Sequence, residues 1–301
     1  MARSASESVL RILASVALVT GLASPAAAQG TTVSAGVNIR ALTGSFGSTQ
    51  TTTLFYAPAT LQINTGRLEL IGYFPWLSLD NATVVPSQGG FIPMRGTMAG
   101  APGTGLPMGG AMGGMMGGPQ GIVSPPGAPP ALPDVSTRLS GIGDLVVGAG
   151  YRVVDDSARG LQVVASTRIK IPTASAETGL GTGRRDIAFL GTIRKQSANG
   201  WISAEGGYIV VGDPTGIDLR NSVLWSVGAG RRLQRRLYLL MSAAGSTAIV
   251  PEFGAPVEVG AGIGIALGGR LNLTVVPSVG LTDASPRAAL TIGFSTDLTR
   301  R

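Results

Sequence analysis

The sequence predicts an antiparallel, up-and-down transmembrane β-barrel of about twelve strands at residues 29–301, behind a signal peptide at 1–28. Three observations lead to this fold class: an export signal, two-residue alternation along the chain, and connections that alternate between short and long. The chain is apolar on average, with a mean hydropathy of +0.32 and 13% charged residues. After the leader, however, no apolar run approaches the ~18 residues of a membrane-spanning helix. Alternating strands produce this combination.

The N-terminus carries the features of a secretory signal. Arg3 and Arg11 supply the positive charge, residues 12–22 are apolar, and residues 26–28 form an A-x-A cleavage pattern. The apolar stretch is shorter than the ~20 residues of a spanning helix, so a cleaved signal is favoured over an anchor. The chain contains no Cys, which excludes a lipoprotein anchor and disulfide bonds.

Two-residue alternation predicts the strands. In the clearest segment, Ala288, Leu290, Ile292 and Phe294 share one face. Clear alternation also marks residues 144–153, 161–171, 257–267 and 271–282, and weaker alternation marks 31–42, 50–63, 66–79, 184–197, 200–211, 221–233 and 236–248. These segments are near the ~9–11 residues that a strand needs to cross a bilayer at a tilt.

The connections show a second, independent pattern. The predicted short turns lie at residues 64–66, 155–160, 198–199, 234–235 and 268–269. The predicted longer connections lie at residues 44–49, 84–140, 172–183, 212–220, 249–256 and 283–286. Short turns at one end and longer loops at the other are typical of outer-membrane barrels, in which the long loops face outward.

The two faces of the strands differ in chemistry. One is aliphatic and aromatic, whereas the other carries Gly, Ser, Thr and charge, so we expect lipid on the first and a polar lumen on the second. The predicted lumen-lining charges are Arg40, Glu69, Asp144, Arg152, Arg168, Lys170, Asp186, Arg194, Glu205, Glu258 and Arg287. Salt bridges across the lumen would satisfy them, because an unpaired charge in a low-dielectric wall is costly.

The connection at 84–140 has low complexity. Gly, Met and Pro dominate residues 85–133, which cannot bury a core, and a disordered external loop is expected. Met112, Met115 and Met116 are candidate ligands for Cu(I), but no His or Cys accompanies them. A flexible linker without metal is the favoured interpretation.

Several motifs occur together in the C-terminal half. They are Ser140-Gly-Ile-Gly-Asp144, Lys170-Ile-Pro-Thr173, Gly179-Leu-Gly-Thr-Gly183 with Asp186, and Gly280-Leu-Thr-Asp-Ala-Ser-Pro286. Taken singly, their glycines and aspartates indicate turns. The second glycine run lacks the Lys-Ser/Thr ending and the following helix of a phosphate loop.

In this order and spacing the motifs resemble the outer-membrane barrel family named for a role in meta-pathway phenol degradation, over most of residues 140–297. The resemblance implies a barrel that takes up small solutes, aromatic ones among them. Outer-membrane barrels usually end on an aromatic residue that the barrel-assembly machinery recognises. Here the chain ends on a polar tail, and Phe294 is the candidate for that role.

The side-chain inventory argues against catalysis. The chain has no His, the usual general base, and neither Lys170 nor Lys195 stands in a Ser-x-x-Lys pattern. We therefore expect no enzyme activity, cofactor, metal or nucleic-acid partner. The expected partners are outer-membrane lipid, lipopolysaccharide and a small solute.

The predicted function is passive uptake through the bacterial outer membrane, with the basic excess of +7 favouring anions or polar aromatics. A plugged, charge-paired interior is the alternative for the lumen. An adhesin or envelope structural protein displaying the 84–140 loop is the alternative for the function. A soluble periplasmic β-protein is a third possibility.

Overall fold

A computed structural model of the chain describes residues 30–46, 51–80, 84–87, 90–93, 139–174, 180–213, 219–250, 254–268 and 270–299. The predicted signal peptide at 1–28 and residues 94–138 of the predicted external loop lie outside these ranges. No helix in the described ranges is long and apolar enough to cross a bilayer.

The described residues form β-strands joined by turns and loops. The strands are β1 (Thr31–Gly44), β2 (Thr52–Thr65), β3 (Leu68–Asp80), β4 (Val84–Ser87), β5 (Gly90–Pro93), β6 (Leu139–Ile142), β7 (Leu145–Asp156), β8 (Leu161–Ile171), β9 (Asp186–Ser197), β10 (Gly200–Val210), β11 (Ser222–Gln234), β12 (Leu237–Ser246), β13 (Val257–Gly268), β14 (Leu271–Gly280) and β15 (Ala288–Asp297).

The main sheet closes on itself. In the described part of the chain it holds 13 strands, and leaving out the short β6 gives the 12 that form the ring, β1 to β3 and β7 to β15. Each strand pairs antiparallel with the next, and β15 pairs with β1. Closure leaves no unpaired edge, which a bilayer requires because it offers no water to exposed backbone groups. The predicted transmembrane barrel of about twelve strands is confirmed.

Strand β6 extends β7 beyond a local break. Leu79 of β3 pairs with Leu139 of β6, while Leu68 pairs with Tyr151 of β7. The amide of Gly143 bridges the break by donating to the Pro75 carbonyl at 2.9 Å. The long connection after β3 therefore re-enters the sheet a few residues before the predicted strand at 144.

A short hairpin stands at the start of the predicted external loop. β4 and β5 form a two-stranded sheet of their own, in which Val84 pairs with Pro93 and Ser87 with Gly90. The sequence analysis had predicted a disordered loop without strands at residues 85–133. β-branched and aromatic residues such as Val85 and Ile92 favour extended pairing here.

The turns and loops sort to opposite ends of the barrel, as predicted. The turn at Gly66 and Arg67 joins β2 to β3. The φ angle of Gly66 is +54°, which explains why glycine occupies this position. Pairing of Thr65 with Leu68 extends β2 two residues past the predicted strand end at 63. We call the end with these short turns the turn end and the opposite end the loop end.

The two faces of the wall follow the predicted alternation. On β9 the side chains of Asp186 and Leu190 are 0% and 5% exposed, whereas Phe189 and Ile193 are 54% and 53% exposed. Other large apolar residues on the outer face include Val147, Ile169, Ile202, Val227, Met241, Ile263, Val279, Leu290 and Phe294. This apolar outer surface is the one that lipid covers in a transmembrane barrel.

Candidate functional site: the interior of the barrel

Nine of the eleven predicted lumen charges lie on inward-facing strand positions, and the other two, Asp144 and Arg287, lie one residue before β7 and β15. All of them except Arg287 form ion pairs. Arg287 lies just before β15, is exposed, and has no ion pair within the described residues. Several pairs join strands that are not neighbours in the sheet. Such contacts are short only on the concave side of a closed wall, so these side chains lie inside the barrel.

A first group of charges lies near the turn end. Glu69 on β3 accepts hydrogen bonds from Arg152 Nε on β7 at 2.9 Å and from Arg194 Nη1 on β9 at 3.2 Å. Arg152 also donates to Asp155 at 3.1 Å, and Gln162 donates to the second oxygen of Asp155 at 3.2 Å. This turn-end cluster reaches from β3 to β9 across two intervening strands.

Two further ion pairs lie closer to the middle of the barrel. Arg168 on β8 donates to Glu205 on β10 at 2.8 Å, and the Thr192 hydroxyl donates to the same carboxylate at 3.0 Å. Arg40 on β1 bonds to both carboxylate oxygens of Glu258 on β13. The side chains of both pairs are 20–27% exposed. Because solvent reaches them, each pair contributes about 1 kcal/mol or less to stability.

The charges at the loop end are deeply buried. Lys170 Nζ lies 3.0 Å from Asp186 Oδ2 and 3.2 Å from Asp144 Oδ2, and it donates to Thr182 Oγ1 at 2.6 Å. The side chains of the three charged residues are 0–5% exposed. We call these four residues the Lys170 cluster. Its members lie on the inner side of the wall, beneath the loops instead of on a wet surface.

The Lys170 cluster also fixes backbone. Asp144 Oδ1 accepts the amide of Ala174 at 3.0 Å, and Asp186 Oδ1 accepts the amide of Gly212 at 3.1 Å. A Cβ at Gly181 would stand 2.6 Å from Asp144 Oδ1, so only glycine fits there. The cluster therefore holds the β8–β9 loop and the start of the β10–β11 loop against the wall.

These residues come from three of the four sequence motifs, which we had interpreted as separate turns. The Gly-x-Gly-Asp motif supplies Asp144, the Lys-Ile-Pro-Thr motif supplies Lys170, and the second glycine run supplies Thr182. Their joint role was missed, because turn chemistry explains each motif alone. The sequence did contain a signal for this shared role, because every motif carries one polar side chain next to its glycines or proline.

The inner face is apolar at the loop end, where the sequence predicted a polar lumen. One buried cluster contains Leu42, Phe46, Leu54, Leu77, Leu79, Ala174, Leu180 and Ala289. A second contains Ala188, Leu190, Ile209, Val211, Leu219, Ile249 and Val250. Leucines from the inner wall pack here against loop residues that fold inward, so the barrel narrows at this end. Leu190 shares its strand parity with Asp186 and Arg194, and this parity could have predicted that Leu190 faces inward.

The wall formed by β11 to β14 carries small side chains on its inner face. The inward positions, identified by their pairing with Ser203 and its neighbours, include Ser226, Gly228, Gly230, Ser242, Gly260, Gly262, Gly264, Thr274 and Ser278. The sequence predicted this one-sided placement of glycine. These residues project little volume into the barrel, although Tyr238 and Leu240 point inward from the same wall.

Within the described ranges, no three His, Cys, Asp or Glu side chains are close enough together to hold a metal ion. The predicted Met112, Met115 and Met116 lie outside those ranges.

A closed antiparallel barrel with an apolar outside and paired charges inside is a transmembrane β-barrel. The chain belongs to the family described as "Putative MetA-pathway of phenol degradation", whose model matches residues 23–298. The family predicted from the motifs is confirmed, and the match extends to β1–β3, beyond the region that the motifs cover.

Comparison with solved structures gives other β-barrels. The NanC porin is 7% identical with a TM-score of 0.48, and 88% of this chain and 98% of that chain are covered. The KdgM porin is 4% identical with a TM-score of 0.47, over 87% and 98%. The CymD monoaromatic hydrocarbon channel is 8% identical with a TM-score of 0.45, over 90% and 88%. No curated protein matched the sequence. The fold assignment therefore rests on the strand pairing of this chain itself.

Proposed function

We propose that this protein is a passive channel of the bacterial outer membrane, through which small polar solutes, preferentially anions, diffuse. Its apolar outer face suits lipid, and its closed ring of strands leaves an interior separated from the bilayer. A twelve-strand ring lies in size between filled eight-strand barrels and wide porins, so the arrangement of the inner side chains decides whether solutes pass.

The observation that carries the proposal is the uneven distribution of volume inside the barrel. Bulky charged and aromatic side chains concentrate on β3 and β7 to β10, whereas β11 to β14 present mostly small residues, with Tyr238, Leu240 and Glu258 as larger inward side chains. The half-exposed Arg194, with 41% of its side chain accessible, shows that solvent-sized space reaches the charged wall. In a plugged barrel we would expect these charges to be buried as completely as Lys170 is buried here.

Size selection is assigned to the loop end. There the inward-folded loops bring Phe46, Leu180 and Leu219 against the inner wall. A constriction of this kind limits passage to small solutes, because pore diameter is one determinant of selectivity.

Charge selection is assigned to the turn end. Its turns carry Arg67, Arg159, Arg235, Arg236 and Arg270, and Asp156 pairs with Arg159 at 3.4 Å. Charges around a mouth with low-dielectric walls focus the electric field and raise the local concentration of counter-ions. The ion pairs deeper inside are nearly balanced, so this basic rim sets the preference for anions.

The orientation belongs to the same proposal. A signal peptide at 1–28 would deliver the chain to the periplasm, where the barrel-assembly machinery inserts it and its lipid contacts include lipopolysaccharide. With the short turns in the periplasm, the long loops, including 84–140, face outward. The basic rim then lies at the periplasmic mouth.

Conductance in planar bilayers tests the proposal. We expect discrete channel events from the folded protein, and a reversal potential in a salt gradient that indicates anion preference. Replacing Arg235 and Arg236 with Gln should move the reversal potential toward zero without abolishing conductance, whereas Arg231→Gln on the outer face should leave it unchanged. Absence of events from protein with the heat-modifiable gel migration of a folded barrel would refute the channel.

A further inference from the structure

A cavity of about 870 Å³ opens at the turn end of the barrel, lined by turn residues and by strand residues of both faces. Its lining includes inward side chains of β8 to β10, namely Gln162, Arg194, Gln196, Trp201 and Ser203. Two acidic residues also border it, but Asp155 is bonded to Arg152 and Gln162, and Asp156 to Arg159. The cavity therefore combines an aromatic ring, amides and the cations Arg159, Arg194 and Lys195 with carboxylates that are already engaged.

Trp201 lies on the inner face, because it pairs with Gln196 and Gly230, which both face inward. A Cβ added at Gly230 would stand 2.5 Å from Trp201 Nε1, and one at Gly228 would stand 3.2 Å from Cζ3. The indole thus lies flat over a glycine floor on β11. Its exposure of 40% leaves a large ring face open toward the cavity. Trp76 and Trp225, the other tryptophans of the chain, point to the outer face.

Among these cations, Arg194 is the one that a strand directs to the inner face. Ser203 pairs with Arg194 and Trp201 pairs with Gln196 across β9 and β10, so Arg194 and Trp201 occupy diagonal strand positions, and both line the cavity. Only Nη1 of Arg194 bonds to Glu69, at 3.2 and 3.3 Å. Among the described residues no partner engages its remaining N–H donors, which are arranged to hold a carboxylate.

We propose that this cavity is a transient binding site for planar aromatic carboxylates on their way through the channel, an inference that rests on the proposed function. The aromatic ring of the solute stacks on Trp201, and its carboxylate bonds to Arg194. Gln196 offers an amide donor beside them. The glycine floor matters because any side chain at 228 or 230 would displace the indole. Solvent at the open mouth keeps binding weak enough for release, as conduction requires.

The test uses Trp201 as its own reporter. In a Trp76→Phe/Trp225→Phe variant, refolded in detergent and checked by heat-modifiable migration, Trp201 is the sole indole. We expect benzoate to quench its emission saturably. Cyclohexanecarboxylate, which has the same charge but no planar ring, should quench little. Arg194→Gln should weaken benzoate binding about tenfold or more, as loss of a charge-assisted hydrogen bond predicts.

Two further variants separate this role from structural effects. Gly230→Ala should weaken benzoate binding by moving the indole while leaving every charge in place. Arg231→Gln removes a cation from the outer face beside Gly230 and should leave binding unchanged. Equal binding in Arg194→Gln, or quenching that rises linearly without saturation, would overturn the site. Conductance of the same proteins separates the two ideas: channel events without saturable quenching refute only the binding site, whereas folded protein without events refutes the channel.

Discussion

Removing the Lys170 ammonium should destabilise the barrel far more than removing any other interior charge. Lys170→Met keeps most of the side-chain volume but leaves the carboxylates of Asp144 and Asp186 facing each other. Both are almost fully buried, and Lys170 is the cation that bridges them. The backbone amides of Ala174 and Gly212 satisfy one oxygen of each carboxylate, but they do not neutralise the charge.

The size of the effect follows from this burial. Removing one partner of a buried ion pair costs about 3–5 kcal/mol, since the remaining charge is left without compensation. The matched control is Lys195→Met, which changes the chain's other lysine. Lys195 is exposed on the outer face near the turn end and donates to the Arg159 carbonyl. Loss of such an exposed contact costs about 1 kcal/mol or less.

Reversible urea unfolding from lipid vesicles measures both free energies of unfolding, with tryptophan emission and heat-modifiable migration as independent probes. Adding Asp144→Asn to Lys170→Met should restore part of the lost stability, because it removes a buried carboxylate charge that Lys170 had paired with. A Lys170→Met protein no less stable than Lys195→Met would refute the buried ion cluster. So would a double variant that is less stable than Lys170→Met alone.

Two predictions concern the wall. Gly264→Leu should fold and reduce conductance, because a Cβ there meets Leu240 only at an ordinary 3.4 Å and adds volume to the lumen. Gly262→Leu should fail to fold, since its Cβ would stand 2.1 Å from the Val275 carbonyl oxygen. Conductance and gel migration measure the pair, and equal folding of both variants would contradict the geometry. Val227→Arg on the outer face should lower the free energy of unfolding in vesicles by about 2–4 kcal/mol, and the inward neighbour Ser226→Arg by clearly less; equal losses would contradict the assignment of the faces.

Much of the fold was predictable because its signals are local. The side chains of a strand alternate with a period of two, so Ala288 to Phe294 reveal their shared face without knowledge of any partner strand. Turn residues likewise act on their own neighbourhood, as Gly66 does. Counting such segments and turns was sufficient to predict a ring of about twelve strands. The β4–β5 hairpin was missed because a few β-favouring residues lay within a long glycine-rich stretch.

The apolar loop end was harder to predict, because parity alone does not reveal which apolar residues face inward. Leu77 and Leu79 have the chemistry of lipid-facing residues, and only the loops folded over them turn that surface into a core. The inward orientation of Trp201 was hard to predict for a similar reason. Its position near a strand end suited an interfacial girdle, and the glycines that accommodate its ring lie on the next strand.

The sequence by itself determined the strands, the ends at which turns and loops lie, and the set of charges on the polar face, since each depends on residues a few positions apart. Only the tertiary structure decided how those charges combine. Arg40 and Glu258 are 218 positions apart, and Arg194 and Glu69 are 125 apart. Ring closure brings them together, because strands remote in sequence face each other across the concave interior. The same closure gathered three turn motifs around Lys170, a role that no single motif contains.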